Sequence, residues 1–283
     1  MENNIQDIKN NNIKEVMIFA AGYGSRMLNA TINTPKPLLL INEKPIIKYV
    51  LDNIANSLVN IEKVVINVFY LKDKIINYIY SIKQEYKFDI ILSIEEEKLE
   101  VGGGLKNALK HFNSNTIFTL NADSFVFGLD VLNLLYNYWQ KDTMNCLMYC
   151  TETSNIIGQV AYDFSIETND NSNSIDINNI IITLADTNNL LKNQETIGIL
   201  RRINRNLTYT GAQIINLDLI KSYINKTNAF SIIEVLFNSN SDQEKIFGIK
   251  TDAYHKYLHA NTQEQLINVS EYMKLHTKEA KFI

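Results

Sequence analysis

An apolar run, Val16 to Ala21, breaks into Gly22-Tyr23-Gly24-Ser25-Arg26, and ten residues later a lysine stands between two prolines, Pro35-Lys36-Pro37. Pro45 follows, so all three prolines of the chain fall in one short stretch. This stretch constrains the chain more than any other. A strand ending in Gly-x-Gly can turn backbone N–H groups toward an anion with no Cβ in the way. Ser25 adds a hydroxyl donor, and Arg26 a guanidinium fork that matches phosphate oxygens. Pro35 and Pro37 fix φ and bias their predecessors toward extended geometry. Lys36 therefore projects its ammonium from a stiffened segment, as a site that redistributes phosphate charge requires. The loop is not a Walker A sequence, because no Gly-Lys-Ser/Thr follows. Nor is it a dinucleotide fingerprint, because the third glycine is missing.

The rest of the chain alternates. Ile46 to Leu58 has helical spacing, with Ile47, Val50, Leu51 and Ile54 on one face. Lys63 to Phe69 is a continuous apolar run, Leu71 to Lys83 is helical, and Phe88 to Ile94 is again strand-like. Such alternation predicts an α/β fold, a Rossmann-like open mixed sheet, mostly parallel, with helices on both faces and a small β-rich part. Glu95 to Val101 leads into Gly102-Gly103-Gly104, and a helix is expected from Leu105 to Phe112 directly after the glycines. Thr116 to Leu120 is a strand that ends in Asn121-Ala122-Asp123, which puts a carboxylate at the ligand edge of an open α/β sheet. Asp123 is a hard oxygen donor suited to Mg²⁺. Strands are expected over 145–151, 158–164, 180–184, 197–202, 207–216 and 246–251, and helices over 130–141, 217–223, 230–238 and 263–275. Residues 1–14 read as a flexible lead-in, and 15–283 as one domain.

Composition excludes several classes. The chain has 283 residues and a formal net charge of −4, so it carries no overall basic footprint for nucleic acid. No apolar run reaches membrane-spanning length, and the first residues do not form a secretory leader. Cys146 and Cys150 would stand about 13 Å apart on a strand, too far to bridge. A reducing, cytoplasmic setting is expected.

These motifs resemble the sugar-1-phosphate nucleotidyltransferases, the sugar-nucleotide pyrophosphorylases. The residues that carry the resemblance are Ala20-Ala21-Gly22-Tyr23-Gly24-Ser25-Arg26-Met27, Thr34-Pro35-Lys36-Pro37-Leu38 and Glu43-Lys44-Pro45-Ile46. Leu99-Glu100-Val101-Gly102-Gly103-Gly104-Leu105 is similar to the N-acetylmuramate-1-phosphate uridylyltransferase branch. The resemblance implies a reaction between an NTP and a sugar 1-phosphate, with Mg²⁺, in a monomer or small homo-oligomer. It implies Arg26, Lys36 and Asp123 as catalytic groups. Nucleotide contacts would come from Ala21, Gly22, Gly24, Ser25, Glu100, Gly102, Gly103 and Asn121. Gly158, Gly211 and Arg205 would meet the sugar phosphate, although from the residues alone the Arg201, Arg202 and Arg205 cluster reads more readily as a solvated basic face. Residues 15–145 would mainly bind nucleotide and 146–283 sugar. UTP and N-acetylmuramate 1-phosphate, in cell-wall sugar recycling, are the implied pair. A mannose-1-phosphate guanylyltransferase or a catalytically weakened sugar-nucleotide-binding regulator are the alternatives.

One departure stands out. The family pattern Trp-x-Asp-x-Gly-Thr reads here Tyr257-Leu258-His259-Ala260-Asn261-Thr262. The metal-binding carboxylate is replaced by His259, a ligand for softer metals than Mg²⁺, and the glycine by Asn261.

Overall fold

The computed structural model describes residues 12–152, 156–157, 165–167, 195–201, 207–223, 228–238, 245–251 and 255–276. Residues 1–11 of the expected lead-in, the strands over 158–164 and 180–184, and Gly158 and Arg205 lie outside the described residues, while Ile13 is buried in the core and Lys14 pairs with Glu62.

A nine-stranded sheet organises the chain. One half holds β1 (Glu15–Phe19), β4 (Lys63–Val68), β5 (Asp89–Ile94) and β6 (Thr116–Asn121), all parallel. The order across the sheet continues through β12 (Thr208–Asn216), β8 (Cys146–Thr151), β13 (Ile246–Thr251), β11 (Glu195–Arg201) and β10 (Ser165–Glu167). Only β11 and β12 oppose the common direction. The mostly parallel, mixed sheet expected from sequence is what forms.

Each central strand is apolar on both faces. Ile18, Ile66 and Phe118 point to one core, while Met17, Val65 and Ile117 point to the other. That is why the strands read as unbroken apolar runs. The first core is covered by α1 (Ile46–Asn56), α2 (Lys72–Ile82) and α4 (Val131–Tyr138), through Ile47, Ile54, Ile79 and Leu135 among others. The second is covered by α3 (Glu100–Ala108), α5 (Asp218–Tyr223) and α6 (Ile232–Asn238), through Leu105, Ile220 and Leu236. Cys146 and Cys150 are both free and buried in this second core.

A smaller sheet, β7 (Ser124–Phe127), β14 (Lys256–His259) and β9 (Ile156–Ile157), packs its own apolar cluster against α7 (Gln263–His276). A two-stranded ribbon, β2 (Leu40–Ile41) with β3 (Lys44–Pro45), completes the strands. The third cluster also contains Met27 and Ile41, so it joins the glycine loop to the last helix. No helix among the described residues is long and apolar enough to cross a membrane.

Asp130 ties two helix ends together. It caps α4 by accepting from the Asn133 N–H at 3.0 Å, and it also accepts from Ser57 Oγ and the Leu58 N–H, each at 2.8 Å. Losing a cap costs about 1 kcal/mol, and losing hydrogen bonds to a charged acceptor adds to it. Asp130→Ala is therefore expected to cost about 2 kcal/mol in urea unfolding at an unchanged m-value; a loss below about 0.5 kcal/mol would show that water replaces these contacts.

Candidate active site

The carboxyl ends of β1, β4 and β6 open onto one cleft, bordered by Ala21, Gly22, Asn67, Glu95, Lys98, Glu100, Asn121 and Asp123. A sheet that splays its strand ends in this way leaves the crevice where ligands bind in open α/β folds.

The glycine loop forms the near wall. A Cβ on Gly22 would meet nothing within 4 Å, so that backbone faces open space. Gly24 has φ +66°, and a Cβ there would fall 2.9 Å from Thr31 Cγ2 and 3.0 Å from Lys36 Cβ. Position 24 thus needs glycine both for its left-handed backbone and for the stem of Lys36 packed against it. Ser25 and Arg26 begin a 3-10 helix, Ser25–Thr31, with both side chains exposed. Tyr70 braces the far end of that helix, its hydroxyl donating to Thr31 O at 2.9 Å.

Lys36 starts a short 3-10 turn, Lys36–Leu38, entered from Pro35 in extended geometry. Its side chain is buried, yet its ammonium reaches Asp123 Oδ2 at 2.5 Å and donates to Asn261 Oδ1. The two charges singled out from sequence therefore meet. β14 runs antiparallel to β7 with His259 opposite Ser124, and so delivers His259 and Asn261 beside the Asp123 turn. Burial pushes the Asp123 carboxyl up, but the Lys36 ammonium and His259 pull it below the usual carboxylate value. Burial lowers the His259 pKa; Asp123 opposes this, while Lys36 and Arg26 depress it further. The imidazole is therefore neutral near pH 7, with Nε2 2.6 Å from Asn261 Nδ2.

The far wall differs from expectation. The helix begins at Glu100, five residues early, and the three glycines lie inside its first turns. The N–H groups of Gly102 and Gly103 donate to Phe230 O at 2.9 and 3.4 Å. A Cβ on Gly103 would fall 2.1 Å from Asn228 O, and one on Gly102 2.4 Å from the Phe230 ring. These two glycines serve close packing of the 228–230 segment, and the cleft is lined instead by Glu100 and Val101. Glu100 has φ +58° and pairs with Lys98 at 2.9 Å.

Gly211 and Asn121 are also in contact. Gly211 has φ +86° at an irregularity in β12, and a Cβ there would sit 2.4 Å from Asn121 Nδ2. Both border a second, largely apolar cavity between α1, α4 and β12, which Asn121 shares with the main cleft.

Three contributors were not singled out as site residues from sequence. Asn67, the one polar side chain between Val64 and Phe69, accepts from the Ala20 N–H at 2.8 Å and donates to Glu95 Oε1 at 2.6 Å. Glu95 is buried, and burial raises its pKa against the hydrogen bonds from Asn67 and the Leu99 amide. Asn261 was noticed only as a missing glycine. Among the described residues no three His, Cys, Asp or Glu side chains gather as a metal cage.

Comparison with known proteins agrees with this geometry. The chain is 32% identical over 124 residues to a D-glycero-alpha-D-manno-heptose 1-phosphate guanylyltransferase of Campylobacter jejuni, covering 44% of this chain and 53% of that protein. It is 28% identical over 148 residues to an N-acetylmuramate alpha-1-phosphate uridylyltransferase of Caulobacter vibrioides, covering 50% of this chain and 60% of that protein. The matched stretch thus spans little more than half of either relative. A UDP-glucose pyrophosphorylase solved with UDP-glucose shares the fold at a TM-score of 0.66 and 17% identity, covering 93% of this chain and 99% of that one. Residues 16–162, the stretch that carries the glycine loop, Lys36 and Asp123, match the MobA-like NTP transferase domain, and the chain belongs to that family.

Proposed function

We propose that this chain is a sugar-1-phosphate nucleotidyltransferase, joining an NTP and a sugar 1-phosphate into an NDP-sugar with release of pyrophosphate. The observation that carries the reading is the ion pair of Lys36 and Asp123, at 2.5 Å, beside a glycine loop whose Gly22 faces open space. The nucleophile is a phosphate oxygen of the sugar phosphate, which is already ionised near pH 7, so no general base is required. It attacks the α-phosphorus in line, and the bond to the bridging oxygen of the pyrophosphate breaks. The protein's work is alignment and charge neutralisation.

In this reading Gly22, Gly24 and Ser25 cradle the phosphates and Arg26 meets the departing pyrophosphate. Lys36 spans the α-phosphate and the sugar phosphate. Ala21, Glu100 and Asn121 border the nucleoside, and Gly211 underlies the sugar phosphate with Asn121.

The donor set fits Mg²⁺ in one respect. Asp123 offers a single hard carboxylate, 26% exposed toward the cleft, and Mg²⁺ needs only one or two carboxylates when phosphates and water supply the rest. Bound there, the ion would neutralise charge on the phosphate oxygens. His259 could join it only after its Nε2 parts from Asn261.

UTP with N-acetylmuramate 1-phosphate is the pair we favour, on the Gly-Gly-Gly form of the 99–105 sequence and the uridylyltransferase relative. The guanylyltransferase relative keeps GTP with a mannose-type sugar 1-phosphate as the second reading. Pyrophosphate release over a panel of four NTPs and several sugar 1-phosphates decides between them. The favoured pair should exceed the others by about tenfold or more in kcat/KM. Preference for GTP would establish the second reading, and no release with any pair and any divalent metal would remove the activity altogether.

A further inference from the structure

We infer that Asn261 is a positioning residue for Lys36, holding its ammonium from the β14 side; the inference rests on the nucleotidyltransferase reading only for its catalytic consequence. An ammonium has donors and no lone pair, so the oxygen of the Asn261 amide must be the atom facing Lys36 Nζ. The amide nitrogen then faces His259 Nε2, at 2.6 Å. That nitrogen carries only protons, so it can only donate toward the His259 ring, where it lies 2.6 Å from Nε2 and 3.4 Å from Nδ1. Along Asp123–Lys36–Asn261 the donors and acceptors have a single consistent assignment.

The amide is itself anchored. Asn261 is 6% exposed, and its backbone N–H donates to Gln265 Oε1 at 2.8 Å, in the first turn of α7. Gln265 is equally buried, and its own N–H bonds Thr262 Oγ1 at 3.2 Å. Rotating the Asn261 side chain would break bonds at both of its ends.

The consequence for Lys36 is directional. An ammonium has three N–H bonds. Asp123 takes one and Asn261 a second, which fixes where the third points and leaves it for a phosphate oxygen. A neutral amide also grips the ammonium without cancelling its charge, which a second carboxylate would do. Position 261 therefore orients the cation while preserving what it offers to phosphate.

The test uses the full chain and two variants. In wild type, the Lys36 ammonium, assigned by its loss in Lys36→Arg, should give a protected ¹⁵Nζ signal. The His259 ring, assigned by its loss in His259→Gln, should show ¹⁵N shifts of a neutral imidazole. Asn261→Ala should remove the Lys36 protection by at least about tenfold and lower kcat by about 10- to 100-fold, with KM for both substrates changed less than about threefold. Asn261→Asp keeps the acceptor oxygen and removes the amide donor, so Lys36 protection should persist while the His259 ring ¹⁵N shifts change. Should Asn261→Ala fail to fold, the Asn261→Asp result alone decides. Unchanged protection and kcat in Asn261→Ala, or lost protection in Asn261→Asp, overturns the inference. A wild type that releases no pyrophosphate overturns the activity reading instead, and the ammonium signal still decides whether Asn261 holds Lys36.

Discussion

Lys36→Ala is expected to lower kcat by about 10²–10³-fold with little change in melting temperature, the cost of removing one preorganised charge from a phosphoryl-transfer site. The stability side follows from exposure. Asp123 is 26% exposed toward the cleft, so water can solvate the carboxylate that Lys36 leaves behind, and the large penalty of a fully buried orphan charge does not arise. Lys36→Arg should not restore turnover. A guanidinium is planar and wider than an ammonium, and it would have to fit a site closed by Gly24, Asp123 and Asn261. Asp123→Asn removes the opposing carboxylate and its place in metal binding, and the double variant should be no slower than the slower single, since the two groups act as one unit. Turnover of Lys36→Ala within about threefold of wild type would remove Lys36 from the mechanism.

How far this site was legible in the sequence depends on the range of each contact. The first half of the sheet is readable because its central strands are buried on both faces and each helix on one, so unbroken apolar runs alternate with segments of period 3.6. Ile47, Val50, Leu51 and Ile54 were expected on one helix face, and all four are buried. Lys36 and Asp123 could be picked out because proline bracketing and a strand terminus are local features. Their meeting is not local, since the two stand 87 residues apart, and the arrival of His259 and Asn261 beside them needs β14 paired with β7, two short strands that do not announce themselves by pattern.

The 100–108 helix was misplaced for a related reason. Glycine weakens helices intrinsically, so three in a row read as a loop before a helix. Here the tertiary contact wins, because only glycine lets the Phe230 carbonyl and the Asn228 backbone approach so closely. Glu95 was hidden among Glu95-Glu96-Glu97, three identical side chains, of which only the first is buried. Asn261 read as a defect in a motif, whereas in the folded chain it is the residue that touches both Lys36 and His259.

Asn67→Leu carries the largest expected loss of stability. Asn67 and Glu95 are each 2% exposed, and the substitution leaves the Ala20 N–H without an acceptor and Glu95 Oε1 without its Asn67 donor. Unsatisfied buried groups cost about 1–3 kcal/mol each, and a carboxylate more, until protonation relieves it. A total near 3 kcal/mol is expected from urea unfolding at pH 7.5. The pH dependence identifies the cause. Burial already raises the folded pKa of Glu95 above its ordinary 4.5, and loss of the Asn67 hydrogen bond, which lowers it, raises it further. Between the unfolded and folded values the folded state binds the extra proton, so stability falls as pH rises through that window. The deficit of Asn67→Leu relative to wild type should therefore shrink as pH is lowered from 7.5 toward 5. Adding Glu95→Met, which replaces the orphaned carboxyl by an apolar chain, should recover about half of the loss at pH 7.5 and abolish its pH dependence. A deficit below about 1 kcal/mol, or one that does not change with pH, would show that Asn67 and Glu95 do not brace the start of the glycine loop.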